Sequence, residues 1–394
     1  MENKTARLYF IDAMRAWAIL MMLQGHFVDG LLDTALRDTS SLTFNVWKYF
    51  RGITAPVFFT VSGFIFTYLL VRGDKTGLKN PRIKKGIKRG LELLFIGYLL
   101  RLNLYGLLKG EIYASFYLVD VLHCIGLSIL GIISIYLLTQ NRKKYLFPLT
   151  LVGITGLLFL FEPIYKSWGF TFLPEAIANY MTKTNGSVFT IIPWFGYAAF
   201  GGFLSILFTK FKNLNYLYPI AITTAAAFGL TLIFFSSDFF LALSDWTGIQ
   251  LFTTIYFNNY LFIRLGDVLV VFAIFMLSRS ILQNSTLFKI GQSTLSIYVV
   301  HFIILYGSFT GLGLYGFLHH SLGPAVTIFG AIAFMLVSTY AALRYEEHKV
   351  RIKGKIATVR KLAFTQLEAF ANIAFDFIKV NFLRLMRAFG LVKN

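Results

Sequence analysis

Ile11-Asp-Ala-Met-Arg15-Ala-Trp-Ala-Ile-Leu-Met-Met-Leu-Gln-Gly-His26-Phe27 reads as the heart of a membrane-crossing helix, yet it carries groups that a bilayer excludes. A spanning helix needs about 20 largely apolar residues. A charge at its centre costs at least about 2.5–3.5 kcal/mol, so each one calls for an explanation. Arg15 and His26 stand eleven residues apart. On an α-helix that spacing is about 16 Å along the axis and only about 20° around it, so both lie on one face. Asp12, three residues before Arg15, is placed to pair with it.

The rest of the chain follows the same pattern. Its 394 residues are 57% hydrophobic, 18% aromatic and only 14% charged, with a mean hydropathy of +0.67. A soluble domain carries about 25% charged residues, so the composition excludes an ordinary soluble globule and a disordered chain. Ten spans are predicted, near 9–32, 53–71, 90–108, 116–139, 145–162, 188–208, 216–236, 261–281, 290–309 and 323–343, with 251–260 as an extension of the eighth. The expected fold class is an all-α polytopic membrane protein, a bundle of about ten transmembrane helices with a basic amphipathic C-terminal tail. The expected domains are 1–343 in the membrane and 344–394 as the tail. No cleavable signal peptide is evident, because the apolar run after the polar Met1–Arg7 is too long for one.

The net charge of +19 fits this topology better than nucleic-acid binding. Alternate loops divide the basic residues unevenly. Of the 37 Lys and Arg, 28 fall on one side, six on the other and three inside spans. Positive loops stay in the cytoplasm, which places both termini there. In the tail, Phe364, Leu367, Ala371, Ala374, Ile378, Phe382, Leu385 and Phe389 recur at helical spacing among Arg360, Lys361, Lys379, Arg384 and Arg387. That pattern predicts basic amphipathic helix on the inner leaflet. The single cysteine, Cys124, excludes an intrachain disulfide and a cysteine-rich metal site, and no metal is expected.

Polar groups gather at two depths of the predicted bundle. Toward the outside are His26, the i,i+3 pair Asp120 and His123, Arg101, and the pair Arg264 and Asp267. Toward the inside are Arg15, Glu92 and the run from Arg82 to Arg89, with His301 between the two levels. The basic run suits lipid phosphates or a phosphorylated ligand such as coenzyme A. Ser62-Gly63 suits close helix packing or the approach of a ligand. His319-His320 reads as solvated loop.

Arg15 and His26 after Ile-Asp-Ala resemble the first-helix signature of membrane acyltransferases: the family-3 acyltransferases and the bacterial relatives of heparan-α-glucosaminide N-acetyltransferase. Thr54–Gly63, Lys88–Tyr98, Asp120–Gly126 and Pro193–Tyr197 favour the second branch. Ile290–His301 is similar to the late-helix motif of both, and the resemblance runs from about residue 7 to about 343. It implies transfer of an acyl group, usually acetyl, from cytosolic acyl-coenzyme A to a sugar hydroxyl or amine on the far side. On that reading His26 is the general base or a transient acyl carrier, with Asp120 and His123 orienting it or the acceptor. Arg15, Arg82, Lys85, Lys88, Arg89 and His301 would bind coenzyme A, and Trp194, Arg101, Arg264 and Asp267 the acceptor. Membrane lipids and a glycoconjugate are the implied partners, nucleic acid is not, and a homo-oligomer is left open. The competing reading is a transporter or flippase with a path of buried Arg, Asp and His. A third is a structural subunit that recruits a partner through its tail.

Overall fold

The computed structural model describes residues 8–73 and 75–388, and beyond residue 358 the side chains of 365, 366, 375, 379 and 381 only. Among the described residues the protein is all-helical, with no strand. Its α-helices are α1 Tyr9–Leu31, α2 Leu42–Val71, α3 Pro81–Arg101, α4 Leu104–Leu108, α5 Val121–Thr139, α6 Leu146–Leu160, α7 Glu162–Tyr165 and α8 Glu175–Ala178, followed by α9 Ile191–Lys210, α10 Leu217–Thr247, α11 Gln250–Phe257, α12 Tyr260–Leu277, α13 Ser285–Gln292, α14 Thr294–Tyr306, α15 Leu314–Leu318 and α16 Pro324–Ala388. Six of the helical segments are long and apolar enough to cross a membrane, and a seventh if the bent pair α13–α14 counts as one crossing. This is a membrane protein.

The other three expected spans fall on α1, α3 and α6. α6 has only 15 residues. α3 opens on the basic run. α1 is diluted by Asp12, Arg15, Gln24, His26 and Asp29, yet most of its residues are buried inside the bundle. Surrounding protein, rather than lipid, is what a polar helix needs at membrane depth.

Several boundaries differ from expectation. The third span ends at Arg101, where Asn103 caps the short α4. α10 runs on to Thr247 and stops at Gly248, whose φ of 69° is the left-handed conformation glycine adopts at helix ends. Residues 251–260 do not extend α12: α11 is separate, and the break is held by Asn259, which donates to Ser236 and Ser237 of α10. The ninth span bends by 69° between α13 and α14.

The chain divides into two compact units, Met1–Ala341 and Ala342–Asn394. In the first, Phe10, Ile11, Met14 and Ala18 of α1 pack with Ile53, Val57, Val61 and Phe64 of α2 and Val268, Phe272 and Met276 of α12. In the second, described as helix up to Ala388, Arg344 pairs with Glu347 and Lys349 with Glu346 one turn apart. The residues proposed to form an apolar stripe there lie outside the described side chains.

Helix α2 crosses α9 backbone to backbone. A Cβ on Gly63 would overlap the Ala198 carbonyl, and one on Gly201 the Thr60 carbonyl. Gly63 therefore serves packing, as small residues do between membrane helices. A side chain at such a site forces backbone apart, at about 1–3 kcal/mol or more. Gly201→Leu is expected to lower the thermal unfolding midpoint in detergent. Gly153→Leu, where a Cβ meets nothing within 4 Å, leaves it in place; equal midpoints for the two variants would contradict this packing.

Candidate functional site

The break between α13 and α14 decides what His26 meets. α14 starts afresh at Thr294 and runs beside α1, and both informative residues of α1 reach it. Arg15 Nη2 donates to Thr294 Oγ1 at 3.0 Å, with Asp12 3.9 Å from its guanidinium. Eleven residues later, His26 Nδ1 lies 3.1 Å from His301 Nε2. His301 is fully buried and is thus level with His26, not midway between the two polar layers as expected. α13 comes close enough to α1 that a Cβ on Gly291 would overlap the Asp12 carbonyl.

His26 lines a cavity of about 490 Å³ with Asp29, Arg51, Arg101, Asp120 and Tyr306 among its walls. That is an ordinary size for a small-molecule site. Two arginine–aspartate pairs flank it. Asp29 takes ion pairs from Arg51 and from Arg37, the latter at 3.2 Å. Asp120 accepts from Arg101 Nε at 3.3 Å, while Arg101 also donates to the Ser115 carbonyl. Tyr113, Tyr298, Phe189, Phe302 and Phe309 supply flat apolar faces. Phe309, with φ 71°, sits in a tight loop whose backbone pairs with Leu102 and Leu104 and so closes the end of α3 over the cavity.

A second, narrow pocket of about 70 Å³ shares His26, Arg51 and Phe189 with the first and extends beside Met21, Met22, Thr54 and Phe58. His26 therefore stands where the two spaces meet. A Cβ on Gly25 would come within 3.2 Å of the Arg51 side chain, so the glycine before His26 makes room for that arginine.

Other expected site residues stand elsewhere. His123 does not line the cavity. It is the N3 residue of a capping box, in which Asp120 caps α5 and its own backbone amide donates to His123 Nδ1 at 3.3 Å. The ring is fully buried against Tyr98 and Tyr180, where Gly97 leaves it space. The Tyr180 hydroxyl, 2.6 Å from that of Tyr98, has its pKa raised by burial and then by that bond. Trp194 lies one layer behind the cavity, against Phe189 and Phe59, with the Lys183 ammonium 5.7 Å from its ring. Burial lowers the Lys183 pKa, against the pull of Glu162.

Arg264 and Asp267 do not line the cavity either. They pair at 2.8 Å on α12 and reach α2, where Tyr49 donates to Asp267 at 2.7 Å and the Arg264 guanidinium lies 4.4 Å from the Tyr49 ring. Arg82, Lys85, Lys88 and Arg89 occupy the far end of α3 from Arg101 and line neither space; Arg89 pairs with Glu92 at 3.1 Å. His320 is not simply solvated, since its ring bonds the Leu32 carbonyl at 3.0 Å and ties the loop to the end of α1.

Asp29 and Arg51 were missed by the sequence reading. Asp29 follows His26 by three residues and so shares its helix face, a signal that was present. Arg51 falls just outside the span predicted at 53–71, whereas α2 begins at Leu42 and carries it inside the helix.

Residues 7–237 match the family model described as heparan-alpha-glucosaminide N-acetyltransferase, catalytic. The chain belongs to that family, and it is a membrane acetyltransferase. No curated protein matches the chain. The match ends within α10, so Ile290–His301 lies beyond it, and the link between His301 and the site is geometric.

The buried Arg264–Asp267 pair generates a stability test. Removing one partner of such a pair leaves an uncompensated buried charge, at about 3–5 kcal/mol. Asp267→Ala is expected to lower the unfolding midpoint sharply, and Asp267→Asn, which still accepts from Tyr49, to lower it less. A wild-type midpoint for Asp267→Ala would remove the pair from the α2–α12 junction.

Proposed function

We propose that this membrane acetyltransferase carries acetyl from cytosolic acetyl-coenzyme A to a hydroxyl or amine of an extracytoplasmic sugar or glycoconjugate, with His26 at the reacting centre. The observation that carries the reading is the position of His26 at the junction of a wide cavity with arginine and aspartate in its walls and a narrow pocket lying along α1 and α2 beside Met22 and Phe58. One space suits an acceptor and the other a thin acyl-bearing arm. The name of the matched family supports an amino sugar as acceptor.

The chemistry follows from the ring. A neutral His26 protonated on Nδ1 donates to His301 Nε2 and keeps a lone pair on Nε2. That nitrogen removes the proton as the acceptor oxygen or nitrogen attacks the thioester carbonyl carbon. The C–S bond breaks, and the same proton passes to the departing thiolate. His301 fixes the tautomer and plane of the base. Arg101–Asp120 and Arg51–Asp29 offer paired donors and acceptors to sugar hydroxyls, and Tyr298 and Phe302 offer faces for its ring. His123, Trp194, Arg264 and Asp267 support these walls from behind.

Arg15 is suited to a phosphate of coenzyme A, because a guanidinium binds phosphate oxygens in a fork. The basic run on α3 is suited to the same charge at the membrane surface. We place both termini and that run in the cytoplasm on the loop charges, and the membrane as the inner membrane of a bacterium on the resemblance to bacterial acyltransferases. We count α1, α3 and α6 as crossings, which makes ten, and take the tail after residue 343 as a surface helix.

Labelled acetyl-coenzyme A and a glucosamine-terminated glycan, presented to the reconstituted protein, test the assignment. His26→Ala is expected to lose about 10²–10⁴-fold in kcat, the usual worth of a positioned base, with the acetyl-coenzyme A KM little changed. Arg15→Ala is expected to raise that KM instead. Undiminished transfer by His26→Ala would overturn the assignment.

A further inference from the structure

At the end of the bundle away from His26, α10 leaves α9. It packs along α12 and α11, and the space between the start of α10, α9 and α12 is a groove of about 480 Å³. Phe200, Leu204 and Phe208 of α9, Ala221 and Ala225 of α10, and Phe272 of α12 line it, and Thr224 is the one residue of its wall with a polar side chain. Such walls do not hold water, which needs two to four polar partners. Left empty, they forfeit their dispersion contacts. A hydrocarbon chain restores them.

The mouth of the groove is basic. The Arg279 guanidinium lies 4.2 Å from the Tyr218 ring and donates to the carbonyl of Met276, a groove residue. Lys210 stands 5.3 Å from the ring of Phe211, another wall residue. Arg72 lies 5.8 Å from Tyr68, which stacks on Phe64 of the wall. Among the described residues none of these three cations has a carboxylate partner. An apolar slot under unpaired cations complements a molecule with a hydrocarbon chain and an anionic head.

We propose that this groove is a binding site for an anionic glycerophospholipid, one acyl chain lying between α9, α10 and α12 and the phosphate held by Arg279 and Lys210. The site is separate from the His26 cavity and does not depend on the reaction assigned there.

Photoreactive lipids test it. The full chain is placed in phosphatidylcholine nanodiscs doped with phosphatidylglycerol carrying a diazirine in its chain, or with phosphatidylcholine carrying the same group, and labelled peptides are mapped. The exposed residues Val326, Phe329 and Leu336 of the last helix mark general lipid contact. The phosphatidylglycerol probe is expected to concentrate on residues 200–228 relative to that reference, and the phosphatidylcholine probe is not. Arg279→Ala is expected to reduce the excess about fivefold, the effect of one basic residue on an anionic lipid, and Arg279→Lys to restore most of it. Ala225→Phe, which fills the slot, removes the excess for a different reason. Equal labelling by the two probes, or labelling spread evenly over the groove and the last helix, would overturn the proposal.

Discussion

The structure depends on hiding a polar helix. α1 carries Asp12, Arg15, His26 and Asp29 within the bundle of a membrane protein, and each would be costly against lipid. The bundle meets that cost by packing α2, α12, α13 and α14 around α1 and giving its polar groups partners there: Thr294 for Arg15, His301 for His26, and Arg51 for Asp29. Because those partners come from helices far apart in sequence, the same contacts that solve the solvation problem also assemble the site. The polar groups that make α1 a poor membrane helix are the ones that make a cavity possible.

Close backbone approach is what allows this sheath to fit. Gly63 and Gly201 bring α2 and α9 together, Gly90 and Gly126 do so for α3 and α5, and Gly291 seats α13 on α1. With the backbones in contact, side chains are pushed toward the remaining spaces, the two that share His26 and the apolar groove beyond them. Packing and function therefore draw on the same residues. Gly25 serves the site more directly, since a Cβ there would press on the Arg51 side chain that lines both spaces.

Much of this was legible in the sequence. Arg15 and His26 were readable as sharing one face of a helix, and Arg264 with Asp267 and Asp120 with His123 as i,i+3 neighbours, because spacing on a single helix fixes both relations. The roles were less legible. Asp120 and His123 together cap α5, since an i,i+3 pair at a helix start serves the free amides there, while Asp120 alone also lines the cavity. The depth of His301 was misjudged because the polar Gln292-Ser293-Thr294 was read as part of one continuous span, whereas the chain bends there by 69°. The Asp29–Arg51 pair depends on two helices meeting, which spacing within one chain segment does not encode.

The cavity itself argues for the kind of molecule it receives. Its arginines, Arg51 and Arg101, are each already matched by an aspartate, so it offers hydrogen-bond donors and acceptors without a strong net charge. A site built to hold an anion would leave a guanidinium unmatched, as the mouth of the apolar groove does with Arg279. Matched pairs between tyrosine and phenylalanine faces favour a neutral ligand rich in hydroxyls, whose edges exchange hydrogen bonds while its flat face lies on a ring. That is the chemistry by which a protein holds a sugar, the acceptor proposed above.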